Sequence, residues 1–392
     1  MTRPLLRLAP GRERRLKAGH PWAYSNELVM KPEYRQMQPG TIVRLESSEG
    51  WRFGTFFFNP HSLMAARKLD RDPEAVIDAD WVRRHIAEAI DLRSRVCDTD
   101  YHRLVHAEAD RLPGLIIDRF GDVAVLAANT AGMDLLTPHI VTALRELLPL
   151  RGIIARNDSP SRALENLPQE VKLLWGEADN VLVYEGGVAF PVDLLEGQKT
   201  GFFFDQRQNR DMIAALAPGA RMLDVFCHTG AFGLRCAAAG AASVTLVDVS
   251  APALEQVSQA ATMNNLENIE IIRDDAFDAM AKLAEEERRF DLVVCDPPAF
   301  AKSKKDQDEG LRAYGRIARA AAKLVEPGGY LFLASCSHHA PMEQFAVQIA
   351  YGIHRASREA RILATVGAGP DHPVHPQLPE SAYLKGQLFQ LF

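Results

Sequence analysis

The 392-residue sequence has no apolar run approaching the ~20 residues of a membrane-spanning helix, and its basic N-terminus leads into no apolar leader-like segment. A cytoplasmic protein without a membrane partner is the expectation. Cysteine is scarce: Cys97, Cys227, Cys236, Cys295 and Cys336 are odd in number and lack CxxC spacing, which argues against a disulfide framework or a zinc cluster. They read as reduced thiols, and no metal is expected. Phosphate-gripping glycine motifs are missing as well, since neither G-x-G-x-x-G nor GK[ST] occurs. Positive charge is not in excess. The net charge of −6 argues against wholesale wrapping of nucleic acid, although residues 1–35 hold eight basic residues against three acidic ones. Repeats and low-complexity tracts are absent, and the length exceeds one ordinary core, so two or three domains are expected.

What is present centres on residues 222–233, MLDVFCHTGAFG. Residues 222–226 read as a buried strand, Thr229 and Gly230 as a tight turn, and 231–239 as a small-residue helix stopped by Gly240. Further on, the β-branched strand SVTLVDVS carries Asp248 near its end. Strand, glycine turn, helix and a strand ending in a carboxylate form the first half of a nucleotide-binding α/β sheet. Strands at 243–249, 269–272, 291–296 and 330–335 then alternate with helices at 252–264, 276–288, 311–325 and 342–356. This alternation predicts a doubly wound, Rossmann-like sheet. Two more strands, 361–366 and 382–391, have no long helix between them and predict a hairpin closing the sheet with one antiparallel strand.

Function in such a sheet gathers at the carboxyl ends of strands. Those ends carry Asp224, Phe226, Thr229 and Gly230; then Asp248; Asp274 and Asp275; Asp296 before Pro297 and Pro298; and Cys336. A turn without pyrophosphate glycines suits a ligand with adenosine and no phosphate. S-adenosyl-L-methionine is such a ligand, with Asp248 expected at the ribose hydroxyls, Asp275 at the adenine amino group and the 226–230 turn at the methionine end. Just upstream, LLEGQKTGFFFDQRQNR places Lys199, three phenylalanines, Asp205 at a helix N-cap and Gln206 together. One reading makes this a pocket wall; the other makes the phenylalanines core and the polar residues caps of a helix over 206–216.

Residues 1–70 read as a small β domain, with strands at 41–46, 51–58 and 63–69. Ahead of them, GRERRLKAGHPWAYSNEL sets Arg12, Arg14, Arg15 and Lys17 beside Trp22 and Tyr24. Cations next to flat rings suit RNA, while a solvated helix with two core aromatics is the reading that spacing alone favours. A mixed α/β unit follows, with helices at 81–95 and 133–148, a hairpin at 114–128 turning at Gly121-Asp122, and a strand at 152–156. His102 and His106 sit four apart in a strand-like stretch, where that spacing does not converge on a metal. PDHPVHP, with His372 and His375, reads as a proline-rich connection. A hairpin over 181–192 leads into the last domain, and the charged loop 300–310, with Lys302, is a candidate RNA contact.

Taken together, DVFCHTGAFG, VDVS, RDDAFD, CDPPAFAKSKK and SCSHH, with KTGFFFDQR ahead of them, resemble a bacterial family of class I ribosomal RNA cytosine-C5 methyltransferases that act on 23S RNA. The basic aromatic segment resembles that family's PUA RNA-binding domain, and SAYLKGQLFQL its last strand. The resemblance spans essentially the whole chain. It implies a PUA-like domain over 1–72, a central α/β domain over 73–190 and a methyltransferase domain over 191–392. It also implies S-adenosyl-L-methionine as cofactor and 23S RNA or a large-subunit precursor as partner, and leaves a homodimer open. Cys336 is the implied nucleophile and Asp296 its acidic companion. Where larger cytosine-C5 families carry a second cysteine after Asp-Pro-Pro, this chain has Ala299, which implies a one-cysteine pathway. Two alternatives stay open: a base N-methyltransferase of the same fold, and a noncatalytic RNA-binding or ribosome-assembly factor.

Overall fold

The computed structural model describes residues 3–195, 201–301 and 303–392. The chain forms two compact units. The first comprises Met1–Val181, Asp193–Gly201 and Pro370–Pro379; the second comprises Leu182–Val192, Phe202–Gly369 and Glu380–Phe392.

In the first unit, strands Leu5–Arg7, Trp22–Ala23, Thr41–Glu46, Arg52–Phe58 and Ala66–Asp70 make one five-stranded sheet. Phe56 and Phe58 anchor its core against Leu6, Val43 and Leu45. The three strands expected from sequence are present; the two shortest were missed because two or three residues carry no readable period. A second sheet orders Glu170–Gly176, Gly152–Asn157, Val123–Ala128, Leu115–Phe120 and Tyr101–His106. Helices Ala79–Val96 and Ala131–Leu147 belong to this region, their N-termini capped by Asp78 and Thr130. Trp81, Val82, Ile86 and Ala89 on the first helix face the core at helical spacing.

The PDHPVHP connection is docked in this first unit. Arg93, 1% exposed, binds both Asp110 carboxylate oxygens and the Asp371 carbonyl, while Asp371 Oδ2 accepts the Arg103 backbone N–H. His106 packs 5.2 Å from the His372 ring, with Arg103 Nη1 3.1 Å from its Nδ1. Burial first, then the Arg103 charge and His372, pushes the His106 imidazole down from 6.5 to about 2. The folded ring therefore stays neutral where the unfolded one takes up a proton, so stability falls as pH drops below the unfolded value. Acidification from pH 7 to pH 5 is expected to remove about 2 kcal/mol through this group. Urea unfolding at the two pH values, with His106→Gln flattening the dependence, checks it.

In the second unit seven strands form one sheet: β1 (Arg221–Val225), β2 (Ser243–Asp248), β3 (Ile269–Arg273), β4 (Phe290–Cys295), β5 (Val325–Ser335), β6 (Ala360–Val366) and β7 (Lys385–Leu391), in the order β3-β2-β1-β4-β5-β7-β6. Helices α1 (Arg207–Ala214), α2 (Ala231–Ala238), α3 (Ala251–Met263), α4 (Ala276–Glu285), α5 (Gln307–Leu324) and α6 (Met342–Arg355) accompany it. β1 to β5 pair in parallel, and β7 runs antiparallel between β5 and β6. The last two strands do pair, as expected. The closing strand, however, lies inside the sheet rather than at its edge, because a long connection separates it from β6. The order reverses beside β1, so β1 and β4 flank the crevice where such sheets bind ligands.

Candidate active site

β1 is apolar after its exposed first residue, Arg221, except for Asp224, which is 1% exposed. Its Oδ2 accepts the Gly233 N–H at 2.9 Å, fastening α2 back onto the strand. A Cβ on Gly233 would lie 2.6 Å from the Leu246 side chain, so only glycine lets α2 press this closely on β2. Burial first, with Asp296 and Asp248 adding to it against the Gly233 N–H, pushes the Asp224 carboxyl up to about 8. The connecting turn holds three residues at positive φ in alternation, Phe226 (64°), His228 (50°) and Gly230 (74°). Two of them lack the freedom of glycine, and such strain concentrates at ligand sites. Asp248 keeps the turn in shape: Oδ2 accepts the His228 N–H at 2.8 Å and Oδ1 the Ser250 N–H at 2.9 Å. Thr229 is buried.

A second wall comes from residues 202–210. Asp205 does not cap the helix as expected. It sits in a 3-10 turn, Phe204–Gln206, and α1 begins without a side-chain cap. Its Oδ2 instead accepts the Tyr383 hydroxyl at 2.6 Å, and its buried Oδ1 has no hydrogen-bond partner among the described residues. Next to it, Asn209 donates to Gln206 at 2.6 Å and Gln206 donates to Asp296 Oδ2 at 2.9 Å, tying this wall to the end of β4. The buried Arg210 guanidinium is joined to Glu185 by bonds of 2.5 and 2.7 Å. Although burial opposes it, Arg210 holds the Glu185 carboxyl down at about 2. The region thus gathers Asp205, Asp224, Asp248 and Asp296, with a buried carboxylate oxygen lacking a donor. That arrangement fits a cationic ligand, and the sulfonium and ammonium of S-adenosyl-L-methionine are both cations.

Asp275, at the end of β3, caps α4 by accepting the Phe277 and Asp278 N–H groups and is exposed. A cavity of about 520 Å³, bordered by Phe277, Pro298, Phe300 and Gly310, opens beside the Asp296 turn.

Cys336 follows the end of β5. Because Cys295 pairs with Leu333, Asp296 and Cys336 leave the carboxyl ends of neighbouring parallel strands. Both residues flanking the cysteine are pinned. Buried Ser335 and Ser337 each place Oγ 2.7 Å from the Tyr314 hydroxyl, and Ser337 Oγ accepts the Ala301 N–H at 3.1 Å, linking the Asp296–Pro298 loop to the cysteine turn. Burial pushes the Cys227, Cys236 and Cys295 thiols above their ordinary value. Cys336 is partly exposed, and among the described residues Cys97, in the first unit, is the other cysteine that is not buried. Sequence reasoning missed Arg210, Tyr314, Tyr383 and Lys385. For Lys385 a signal existed, a lone charge opening an otherwise uncharged strand, KGQLFQL.

In the first unit, Arg12, Arg14 and Lys17 are exposed, whereas Arg15 is spent on both Glu27 oxygens and lies 4.5 Å from the Tyr24 ring centroid. Trp22 donates to Glu108 at 2.8 Å beneath the Arg67 guanidinium. The solvated helix of the alternative reading is a single four-residue turn, Arg14–Lys17. Lys199 and Lys302 lie outside the described residues.

Residues 153–390 match the family model of S-adenosylmethionine-dependent methyltransferases, and residues 6–71 match a PUA-like domain. A protein of Shewanella frigidimarina named ribosomal RNA large subunit methyltransferase I is 37% identical over 97% of this chain and 98% of its own. Its namesake in Pseudoalteromonas atlantica is 36% identical over 97% of each. In fold, the chain resembles a candidate methyltransferase crystallised with SAH, at a TM-score of 0.83, 22% identity and full coverage of both chains. A Streptococcus mutans protein described as a candidate SAM-dependent methyltransferase gives 0.82 over 99% of this chain and 100% of that one. Fold, acid-lined turn and whole-length similarity agree: the chain belongs to the S-adenosylmethionine-dependent methyltransferases, within the family of the ribosomal RNA large subunit methyltransferase I proteins, and carries an N-terminal PUA-like domain.

Proposed function

We propose that this protein methylates C5 of a cytidine in large-subunit (23S) ribosomal RNA, using the Cys336 thiolate as nucleophile. The observation that carries this reading is the clamped, partly exposed cysteine beside the Asp296 strand end, in a unit whose other thiols are buried. The naming of the curated relatives supports the RNA substrate. Ribosomal RNA as partner is consistent with a cytoplasmic protein, and among the described residues no helix is long and apolar enough to cross a membrane.

C5 of cytosine is a poor nucleophile. Addition of the Cys336 thiolate to C6 forms an S–C6 bond and shifts the C5–C6 π electrons, making C5 enamine-like, while Asp296, hydrogen-bonded to N3 or the exocyclic amine, gives a proton to N3 and so neutralises the negative charge developing on the ring. When bound, S-adenosyl-L-methionine supplies the electrophilic methyl group. Loss of the C5 proton to water, return of the N3 proton to Asp296 and cleavage of S–C6 then restore the ring and the thiolate. The base must leave its stack to reach Cys336.

In this reading Asp205, Gln206 and the turn of Phe226, Thr229 and Gly230 hold the methionine end, with Asp224 and Asp248 shaping that turn. Asp248 also faces the ribose, and Asp275 the adenine. The segments 1–72, 73–190 and 191–392 act as PUA-like, central and methyltransferase domains. Arg12, Arg14 and Lys17 are available to phosphates and Lys199 and Lys302 add to the proposed RNA contacts, while Arg15 and Trp22, held by Glu27 and Glu108, act there only through the surface they shape.

RNA containing 5-fluorocytidine tests the chemistry, because fluorine at C5 blocks the final elimination. A denaturation-resistant protein–RNA complex joined at Cys336 is expected. A methylated product without any adduct would instead mean attack by a base nitrogen.

A further inference from the structure

Lys385 opens β7, directly opposite Ser335 in the antiparallel pairing with β5. Its side chain is buried, and its Nζ donates to the carbonyls of Ser337 (2.7 Å) and Tyr383 (2.9 Å). Two of three ammonium donors are thus given to neutral carbonyls on either side of the cysteine turn, leaving one. Among the described residues Lys385 forms no ion pair with a carboxylate. A buried ammonium without a counter-charge is costly, and it favours an anion nearby. Burial lowers its affinity for a proton, and among the described residues the charge that supports the cation is that of Cys336.

We propose that Lys385 is a positioning residue for the nucleophile: it fixes the carbonyl of Ser337 and supplies the positive charge that keeps Cys336 as a thiolate. This inference rests on Cys336 being the nucleophile. Among the described residues, three kinds of titratable group stand near the cysteine turn beside Lys385. Tyr314 is held protonated and neutral by burial, Asp296 is an acid, and His338 and His339 are exposed, His338 turning Nδ1 to the Glu380 carbonyl. Lys385 lies on the opposite strand from the motif residues and more than forty positions after Cys336 in the sequence.

The test is alkylation of Cys336 by iodoacetamide in the full-length protein, followed by peptide mass spectrometry across pH 6 to 10. Only the thiolate reacts, so the pH midpoint reports thiol acidity. Lys385→Gln keeps hydrogen-bond donors but removes the charge, and Lys385→Arg keeps both. In Lys385→Gln the midpoint is expected to rise by about one pH unit or more, slowing neutral-pH alkylation about tenfold, while Lys385→Arg stays near the parent. A midpoint unchanged in Lys385→Gln, or faster alkylation at every pH, would overturn the proposal in favour of a purely structural lysine. Affinity for S-adenosylhomocysteine reports whether the variant has folded. Should it not fold, the parent protein decides: a Cys336 midpoint below the ordinary ~8.5 supports the role, and one at or above it refutes it. The 5-fluorocytidine adduct separates the two readings. An adduct without a midpoint shift removes Lys385 alone, and a midpoint shift without an adduct removes the nucleophile reading while Lys385 keeps its effect on the thiol.

Discussion

A Cys336→Ala protein is expected to lose RNA methylation by on the order of 10⁴-fold or more, the scale on which removing a covalent nucleophile acts, while binding S-adenosylhomocysteine as the parent does. The separation follows from the geometry. The turn of Phe226, His228 and Gly230 and the carboxylate of Asp205 are held by the Asp248–His228, Asp224–Gly233 and Asp205–Tyr383 bonds, in which the thiol takes no part. The cysteine turn is held through Ser335, Ser337, Tyr314 and Lys385, all of which survive the substitution. Alanine therefore removes the reacting sulfur with little else disturbed. Methyl transfer from labelled cofactor into RNA, beside calorimetric titration of S-adenosylhomocysteine, reads both quantities. Methylation at the parental rate would end the adduct mechanism and leave attack by a base nitrogen.

Asp296→Asn is expected to lower kcat by about 10²–10⁴, the range for loss of a positioned acid–base group, with a much smaller effect on cofactor affinity. Asparagine occupies the same space and its amide oxygen still accepts from Gln206, so the link between the 202–210 wall and β4 persists. What disappears is a carboxyl able to share a proton with the base as sulfur adds at C6. Single-turnover kinetics with saturating cofactor isolates that step. An unchanged single-turnover rate would reduce Asp296 to a structural brace for Gln206.

Much of the second unit was legible because parallel strands covered on both faces read as apolar runs of fixed length, and each ends in a residue that the run does not explain. Asp224, Asp248, Asp296 and Cys336 were found in this way. The first unit was harder. Tyr101–His106 and Glu170–Gly176 are strands with mixed polar faces, and the His102 and His106 positions drew attention to metal chemistry, whereas His106 packs against His372. Tyr314 was illegible for a different reason, and at Lys385 the sequence showed a lone charge but not its partners. Their importance lies in which atoms they meet, the Ser335 and Ser337 hydroxyls for Tyr314 and the Ser337 carbonyl for Lys385, and that turn is distant in sequence from both. Asp205 illustrates the same limit: its position before a helix suggested a cap, but the Tyr383 hydroxyl, 178 residues away, claims its carboxylate.

The docking of residues 370–379 alters how this protein can be divided. The chain passes between the two compact units not once but after Val181, Val192, Gly201, Gly369 and Pro379. The methyltransferase sheet is therefore not a portable cassette. A fragment beginning at residue 202 would still contain the 370–379 segment but would lack Arg93 and Arg103, stripping Asp371 and His372 of the partners that bury them. Because β7 is strung on the far side of that segment, the strand that brings Lys385 to the cysteine turn is tethered through the first unit. Swapping RNA-binding modules between relatives would have to respect this stitching, exchanging both the front of the chain and a ten-residue piece near its end.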